Sequence, residues 1–285
     1  MGAAMTQVED QLMQTVQEAI ARNTLTLPTL PEIALRIQEL GRDKNVSAAE
    51  LAAEISKDPA TVVQLIRIAN SAAQKTTRTV DNVQVAIARL GIRLTVNIAV
   101  GLAMEQIFRA SSKIIDQRLR KAWAHSQDVA AIAHVLSAHC TKLKPEMAML
   151  AGLVHEIGVL PILRIADKLP EVSRDEQAID RVVAALHPRI GSMVLSAWQF
   201  PEEISMVPVH AFDLARANEG PGDYADVITV AILHSAVGSN HPLAHEDRSA
   251  VPAFSRIGIT PEIDAIELMD IEDELEASRS MLGVA

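Results

Sequence analysis

The chain has 285 residues, of which 49% are hydrophobic and 22% charged, and its 36 acidic and 26 basic side chains leave a net charge of −10. This balance is typical of a globular chain and excludes wholesale disorder. The excess of acids argues against nucleic-acid binding by the whole surface, because phosphate binding needs clustered positive charge. Aromatic residues make up only 2% of the chain, which favours helices over strands.

Sequence patterns typical of helix N-termini recur along the chain. Three patterns that begin at Ser47, Asp81 and Ser173 place a capping side chain three residues before Glu or Gln. Asp58-Pro59 and Thr260-Pro261 are typical of a helix that starts at proline. With apolar residues spaced three and four apart, these patterns predict an all-α protein. Its predicted helices lie near residues 6–22, 31–41, 48–57, 59–71, 82–90, 92–109, 114–141, 145–157, 159–168, 175–186, 188–198, 201–217, 223–238 and 261–279, and a loop covers 240–259.

The C-terminal segment is much more acidic than the rest of the chain. Residues 261–285 hold eight acids and one base and so carry −7, while the other residues together carry −3. Ile263, Ile266, Ile271 and Leu275 recur among the acids at roughly helical spacing. Two interpretations stay open: a solvated terminal helix packed along the body, or a docking helix for a partner or a second copy.

The sequence predicts a cytoplasmic protein without a targeting segment or a membrane span. The lone Cys140 excludes an intramolecular disulfide and suits a reducing compartment. The longest apolar run, Leu94 to Met104, has 11 residues and includes Asn97. A membrane helix needs about 18 or more, and the longer stretch from Met147 to Leu163 contains His155 and Glu156.

All nine histidines lie between residues 125 and 245, so imidazole chemistry belongs to the second half of the chain. The most informative segment is 151–158, in which His155 and Glu156 follow an apolar run. An adjacent imidazole and carboxylate can direct one nitrogen and one oxygen at a single metal ion. The pair alone is more often a helix end with hydrogen-bonded polar side chains than a metal site. Further histidines that could complete such a site are His125, His187, His210 and His234.

A series of motifs then resembles a known family. Residues 27–34 read Leu-Pro-Thr-Leu-Pro-Glu-Ile-Ala, and later motifs in the second half are Trp-Ala-His-Ser at 123–126, the 151–158 segment, and His187 with Gly191. In order and spacing they resemble HDOD domains, the HD-related output domains of bacterial signalling, over about residues 25 to 240. The motifs of the first half that complete the resemblance are 55–60, 65–71 and 86–91.

The resemblance implies a metal site inherited from HD phosphohydrolases, in which a first His, a His-Asp pair and a late Asp hold the metal. His125 matches the first ligand and His155 the second, while Glu156 replaces the paired Asp and moves the carboxylate outward by ~1.5 Å. Val237 stands where an active enzyme has its late Asp.

Two more histidines enter by the same resemblance. His187 and His210 could add ligands, as extra histidines do in HD-GYP relatives that cleave cyclic di-GMP, although the Gly-Tyr-Pro segment of those enzymes is absent. Each of the two is more often a polar residue at a helix end. The candidate metal residues are therefore His125, His155, Glu156, His187 and His210, with no catalytic residue and no cofactor expected beyond a divalent metal if the site is filled.

The prediction is an N-terminal helical subdomain at residues 6–112, an HD-like helical half at 113–240, and a loop with the acidic helix at 241–285. The leading function is a non-catalytic signal-transduction module that binds another protein, with a homodimer as a further option and neither nucleic acid nor membrane as partner. The alternative is a metal-dependent phosphohydrolase acting on a nucleotide or cyclic dinucleotide.

Overall fold

A computed structural model describes residues 7–71, 79–218, 220–239, 241–260 and 272–282, and over these residues the chain is helical without strands. The prediction of an all-α fold is thereby confirmed. The α-helices are α1 (Gln7–Ala21), α2 (Glu32–Arg42), α3 (Ala48–Ile55), α4 (Pro59–Ser71), α5 (Val83–Leu90), α6 (Ile92–Met104), α7 (Lys113–Cys140), α8 (Pro145–Val154), α9 (Val159–Ala166), α10 (Glu176–Ala197), α11 (Glu202–Ser205), α12 (Val207–His210), α13 (Tyr224–Ser235), α14 (Pro252–Arg256) and α15 (Glu272–Leu282).

The first predicted helix cap is confirmed in full. The Ser47 hydroxyl accepts a hydrogen bond from the Glu50 amide, and the Glu50 carboxylate accepts one from the Ser47 amide. Helix α4 begins at Pro59, as predicted. The corresponding start at Thr260-Pro261 depends on residue 261, which lies outside the described residues.

Two other predicted caps are displaced by one or two residues. Asn82, not Asp81, caps α5, because its side chain accepts from the Val85 amide. At the start of α10, Asp175 accepts from the amide of Ala178, since Ser173 lies in the preceding short 3-10 turn and donates its hydroxyl to the carbonyl of Pro170. In both places the capping residue is the one whose side chain reaches the amide three residues ahead.

Three predicted boundaries in the second half are wrong. Helix α10 continues through Pro188, where the sequence predicts two helices, because packing against α1, α9 and α12 supports it on several sides. The single helix predicted at 201–217 is instead α11 and α12, with Pro208 in the first turn of α12. The predicted loop at 240–259 contains α14.

Helix α7 is the centre of the second half and packs against α8, α9, α13 and α15. In the first half α2 packs on α6, and α6 also contacts α8, so a continuous apolar core joins the two halves. Helix α1 packs on α10 and α9 and is tied to α10 by an ion pair between Glu9 and Arg181 (2.7 Å). The division at residue 112 stays a prediction.

The stretch Pro145–Ala166, which contains α8 and α9, is the one segment among the described residues that is long and apolar enough by itself to cross a membrane. About 83% of its apolar window is buried inside the protein. Its hydrophobicity is therefore accounted for by its place in the core, between α7, α10 and α6.

The described part of the acidic segment, α15, lies along the body of the protein. It runs antiparallel to α7, with Arg279 paired to Asp128 (2.8 Å) and Glu274 to His139 (2.6 Å). Its end is buried at Met281 and also contacts α4 and α6. For these residues the packed terminal helix is the observed arrangement. The predicted stripe at Ile263, Ile266 and Ile271 lies outside the described residues.

Candidate metal centre

A close contact between α7 and α8 brings the predicted ligands together. Gly152 lies against α7 so tightly that a Cβ atom on it would be 2.4 Å from the Cα atom of Ala130. Helix α8 ends at Val154, so His155 and Glu156 follow in the turn beside α7. His125 lies on α7 and faces this turn, with its ring centroid 5.5 Å from that of His155.

His125, His155 and Glu156 form a group that could hold a metal ion, here called the histidine cluster. Each offers one ligand atom, two imidazole nitrogens and one carboxylate oxygen, and these atoms all lie within 4.8 Å of one another. No other group of three His, Cys, Asp or Glu residues meets this condition in the described part of the chain. The structure thus assembles three of the five candidate residues.

The orientation of His155 leaves one ring nitrogen ready to bind. The side chain is fully buried, and its Nδ1–H donates a hydrogen bond to the carbonyl of Gly152 at 2.6 Å. Because a neutral imidazole carries one proton, Nε2 then has a free lone pair, and this atom is buried without a hydrogen-bond partner. A backbone carbonyl on one nitrogen is the usual support for a histidine that binds metal through the other.

Burial sets the ionisation of the cluster. It lowers the pKa of His155 well below the ordinary value, an effect increased by His125 and His187, and it also lowers the pKa of His125. Burial raises the pKa of the Glu156 carboxyl to about 7. The two imidazoles are therefore neutral, as metal binding requires, and a cation would offset the cost of burying the carboxylate.

His187 lies close to the cluster but is not part of it. A Cβ atom on Gly158 would be 2.0 Å from the carbonyl oxygen of His187, so α10 lies directly against the turn after α8. The His187 side chain is 4% exposed, its Nδ1 has no hydrogen-bond partner, and burial lowers its pKa to about 4. Its ring stands edge-on to Phe212 at 4.4 Å.

The other two candidate histidines lie elsewhere. His210 ends α12 and is not among the side chains that the structure brings within 4.8 Å of one another. His234, on α13, contacts Phe254 of α14, and burial lowers its pKa to about 4, with a further contribution from Arg248.

Sequence reasoning missed two side chains at this site. Phe212 stacks on the ring of His155 at 5.8 Å and also contacts the ring of His187 at 4.4 Å, so it packs against both histidines. His241 lines the cavities beside His125 and Glu156, and its charge contributes to the lowered pKa of His125. Neither residue lies in a motif of the resemblance. The one sequence signal that could have drawn attention to Phe212 is that aromatic residues are rare in this chain.

Two cavities adjoin the cluster and share His125, Glu156 and His241 in their walls. The first has a volume of about 560 Å³ and is lined by charged side chains of both signs, among them Lys121, Arg174 and Asp180. The second, of about 550 Å³, is mainly apolar. Its apolar walls are formed by Phe212, Ile232, Ala236, Pro242 and Leu243.

The donor set and the unpaired Nε2 of His155 fit one divalent ion, held by His125, His155 and Glu156. Such an ion would supply positive charge at the junction of the two cavities. The side chains would orient it and shield it from solvent on the side of Phe212.

Comparison with protein families matches residues 27–211 to the HDOD domain. Among curated proteins, an uncharacterized protein of Treponema pallidum (strain Nichols) is 23% identical over 234 residues, which cover 77% of this chain. The match spans 44% of that relative's length, so the relative is much longer than the region shared with this chain.

Solved structures give the same fold. A protein of Shewanella amazonensis SB2B, provisionally named a metal-dependent phosphohydrolase, is 27% identical with a TM-score of 0.83, over 97% of this chain and all of that one. An HDOD domain protein of unknown function from Geobacter sulfurreducens is 20% identical with a TM-score of 0.66, over 96% and 98% of the two chains. A protein of Marinobacter aquaeolei VT8, provisionally named for signal transduction, is 22% identical with a TM-score of 0.62, over 96% of this chain and 66% of its own.

Proposed function

The chain belongs to the HDOD domain family, and from this premise we propose that it is a signal-transduction module that acts by binding another protein. In this proposal the histidine cluster is a metal site that does not hydrolyse phosphoesters. The protein partner would recognise the conformation of the helical body, and the metal would hold the turn after α8 in place against α7.

The observation that carries the proposal is the acid content of the cluster. Glu156 is its one carboxylate, and Val237, at the position of the late Asp in active HD enzymes, leaves its side chain 57% exposed to solvent. Hydrolysis by HD enzymes depends on a metal held by the paired and the late acid together. A cluster with one acid has lost half of that carboxylate set, which favours a binding role.

One observation favours a second candidate, a metal-dependent phosphohydrolase. The neutral His125 and His155 stand with Glu156 beside a cavity whose wall carries Lys121 and Arg174. A third cation of this wall, Arg118, is paired with the acids Glu176 and Asp180. Cations beside a metal site suit an anionic phosphoester. The Shewanella amazonensis protein of similar fold carries the corresponding name. In this reading His187 or His210 would have to move to complete the ligands.

The deciding experiment is a hydrolysis assay of the full chain with added manganese. Substrates are bis(p-nitrophenyl) phosphate, nucleotides and cyclic dinucleotides, and the variants are His155→Ala and, as a matched control, His234→Ala, which changes a part-buried histidine outside the cluster. We expect no turnover above that of His155→Ala. Turnover that His155→Ala abolishes and His234→Ala preserves would establish the hydrolase and contradict the proposal.

Protein binding is tested separately, by comparing the captured partners of the full chain with those of a chain that ends at residue 260. A specific partner held by the full chain at stoichiometric amounts supports the proposal. An identical partner list from both chains would remove the acidic segment from the binding surface.

A further inference from the structure

We propose that the histidine cluster binds a single ion of the class that prefers imidazole nitrogen, such as zinc or cobalt(II), and discriminates against magnesium and calcium. This inference rests on one part of the proposed function, namely that the histidine cluster is a metal site. The argument starts from the donor atoms. Two of the three are imidazole nitrogens, and one is a carboxylate oxygen.

Metal class follows from the donors. Magnesium and calcium take oxygen ligands, whereas imidazole suits zinc, cobalt and nickel. Here Glu156 supplies the one protein oxygen in the cluster. The cavity wall also carries the acids Glu176 and Asp180, but both are paired with Arg118 and neither belongs to the cluster. The cluster therefore favours an ion that bonds strongly to nitrogen over one that needs several oxygen ligands.

Preorganisation of His155 gives the second step. Its Nε2 lone pair is fully buried and has no hydrogen-bond partner, which costs free energy in the absence of a ligand. The bond from Nδ1–H to the Gly152 carbonyl fixes the ring, and Gly152 is itself held against Ala130 of α7. The ligand atom is therefore already oriented by two packed helices before an ion arrives.

Stoichiometry follows from the count of ligands. His125, His155 and Glu156 are just sufficient for one ion, and no second group of three ligands occurs in the part of the chain that the structure describes. The nearby His187 is not among the three side chains whose ligand atoms lie within 4.8 Å of one another, and its ring packs against Phe212. We therefore expect one equivalent of metal rather than the pair that a full set of acids would hold.

The test uses the full chain after removal of metal by chelation. Zinc, cobalt(II) and magnesium are titrated separately by calorimetry, and cobalt is also followed by its visible absorption, which reports the ligands around the ion. We expect one equivalent each of zinc and cobalt, at least about 100-fold tighter than magnesium. Magnesium within tenfold of zinc, two equivalents of zinc, or no binding would each overturn the inference.

Variants locate the site. His155→Gln and the less buried His125→Gln are each expected to weaken zinc binding about 10- to 100-fold or more, while the matched control His234→Gln leaves it unchanged. If His155→Gln fails to fold, His125→Gln still decides. Undiminished zinc binding in the folded His125→Gln variant would overturn the inference. Zinc binding accompanied by hydrolysis would contradict the non-catalytic role and leave this inference standing. Absence of both would contradict the metal site and leave the protein-binding role standing.

Discussion

Two buried polar regions of the second half differ in how their hydrogen-bonding groups are satisfied. One is the histidine cluster. The other, here called the arginine–aspartate network, consists of Arg216, Asp223, Asp226 and Arg256 around the start of α13. The network lies at the start of α13, and the cluster lies beside α7, which packs on α13. Both regions place ionisable groups against the apolar core.

The network is complete within the chain. Asp226 is 1% exposed, and its carboxylate accepts hydrogen bonds from Arg216, from two nitrogens of Arg256 and from the amide of Asp223. Burial acts to raise the pKa of Asp223, but hydrogen bonds from Arg216 and from the Asp226 amide, together with the charges of Arg216 and Arg256, outweigh it, so that pKa is lowered. The network also caps α13, because Asp223 and Asp226 form a capping box.

The cluster is incomplete within the chain. It buries the Nε2 of His155 without a partner, and the Nδ1 of His187 nearby is also unpaired. Buried polar groups in native proteins are paired in the great majority of cases, and exceptions call for a ligand or a functional role. The network is thus satisfied by the chain itself and stabilises the fold, whereas the unpaired nitrogen of the cluster supports our proposal that it binds a metal ion.

The largest effect is expected from breaking the network. Asp226→Asn removes the charge that faces two buried guanidinium groups, so the free energy of unfolding should fall by about 3–5 kcal/mol. Chemical denaturation measures this change. As a control, Glu171→Gln at an exposed site should shift stability by less than about 0.5 kcal/mol. If both variants lowered the free energy of unfolding equally, the network would contribute no more to stability than an ordinary surface charge.

The next effect is expected at the cluster when metal is added. Zinc at 100 times its dissociation constant should raise the free energy of unfolding by about 2.7 kcal/mol, because it binds the folded state alone. Thermal or denaturant unfolding with and without zinc measures the increment. His155→Gln should lose it, while His234→Gln should retain it. An increment of the same size in all three proteins would mean that zinc binds outside the cluster.

A smaller effect tests the contact that positions His155. In Gly152→Ala the new Cβ meets the backbone of Ala130 and must separate α8 from α7, which should cost about 2 kcal/mol and weaken zinc binding. Gly101→Ala is the matched control, since its Cβ meets only the movable end of the Leu153 side chain, at 2.5 Å. We expect zinc affinity to change in the first variant and not in the second, as calorimetry would show.

Local sequence rules predicted the helices well and the site in part. Capping and periodicity depend on neighbours along the chain, so the cap at Ser47 and most helices could be predicted. The continuation of α10 through Pro188 could not, because contacts from distant helices overrule the local preference.

The site divides in the same way. The pair His155 and Glu156 is adjacent in sequence, and His125 was reached through the family resemblance, so these three could be named in advance. Phe212 and His241 could not, since each comes from a connecting segment whose position is set by packing alone. The arginine–aspartate network was missed because its members are spread over 40 residues with no motif.

A histidine outside the cluster allows the effect of burial to be measured without ligand binding. His234 is part-buried beside Phe254 outside both regions, and this burial, assisted by Arg248, lowers its pKa to about 4, below the unfolded value near 6.5. Its contribution to stability is therefore fully present above pH 6.5 and is lost as the pH falls towards 4, because the unfolded state takes up the proton first. Between pH 6.5 and 5.5 the wild type should lose about 1 kcal/mol more than His234→Gln, as denaturation at each pH would measure. An equal loss in both proteins would mean that His234 titrates normally, and that burial in this half of the chain is too weak to keep a histidine neutral without help from its neighbours.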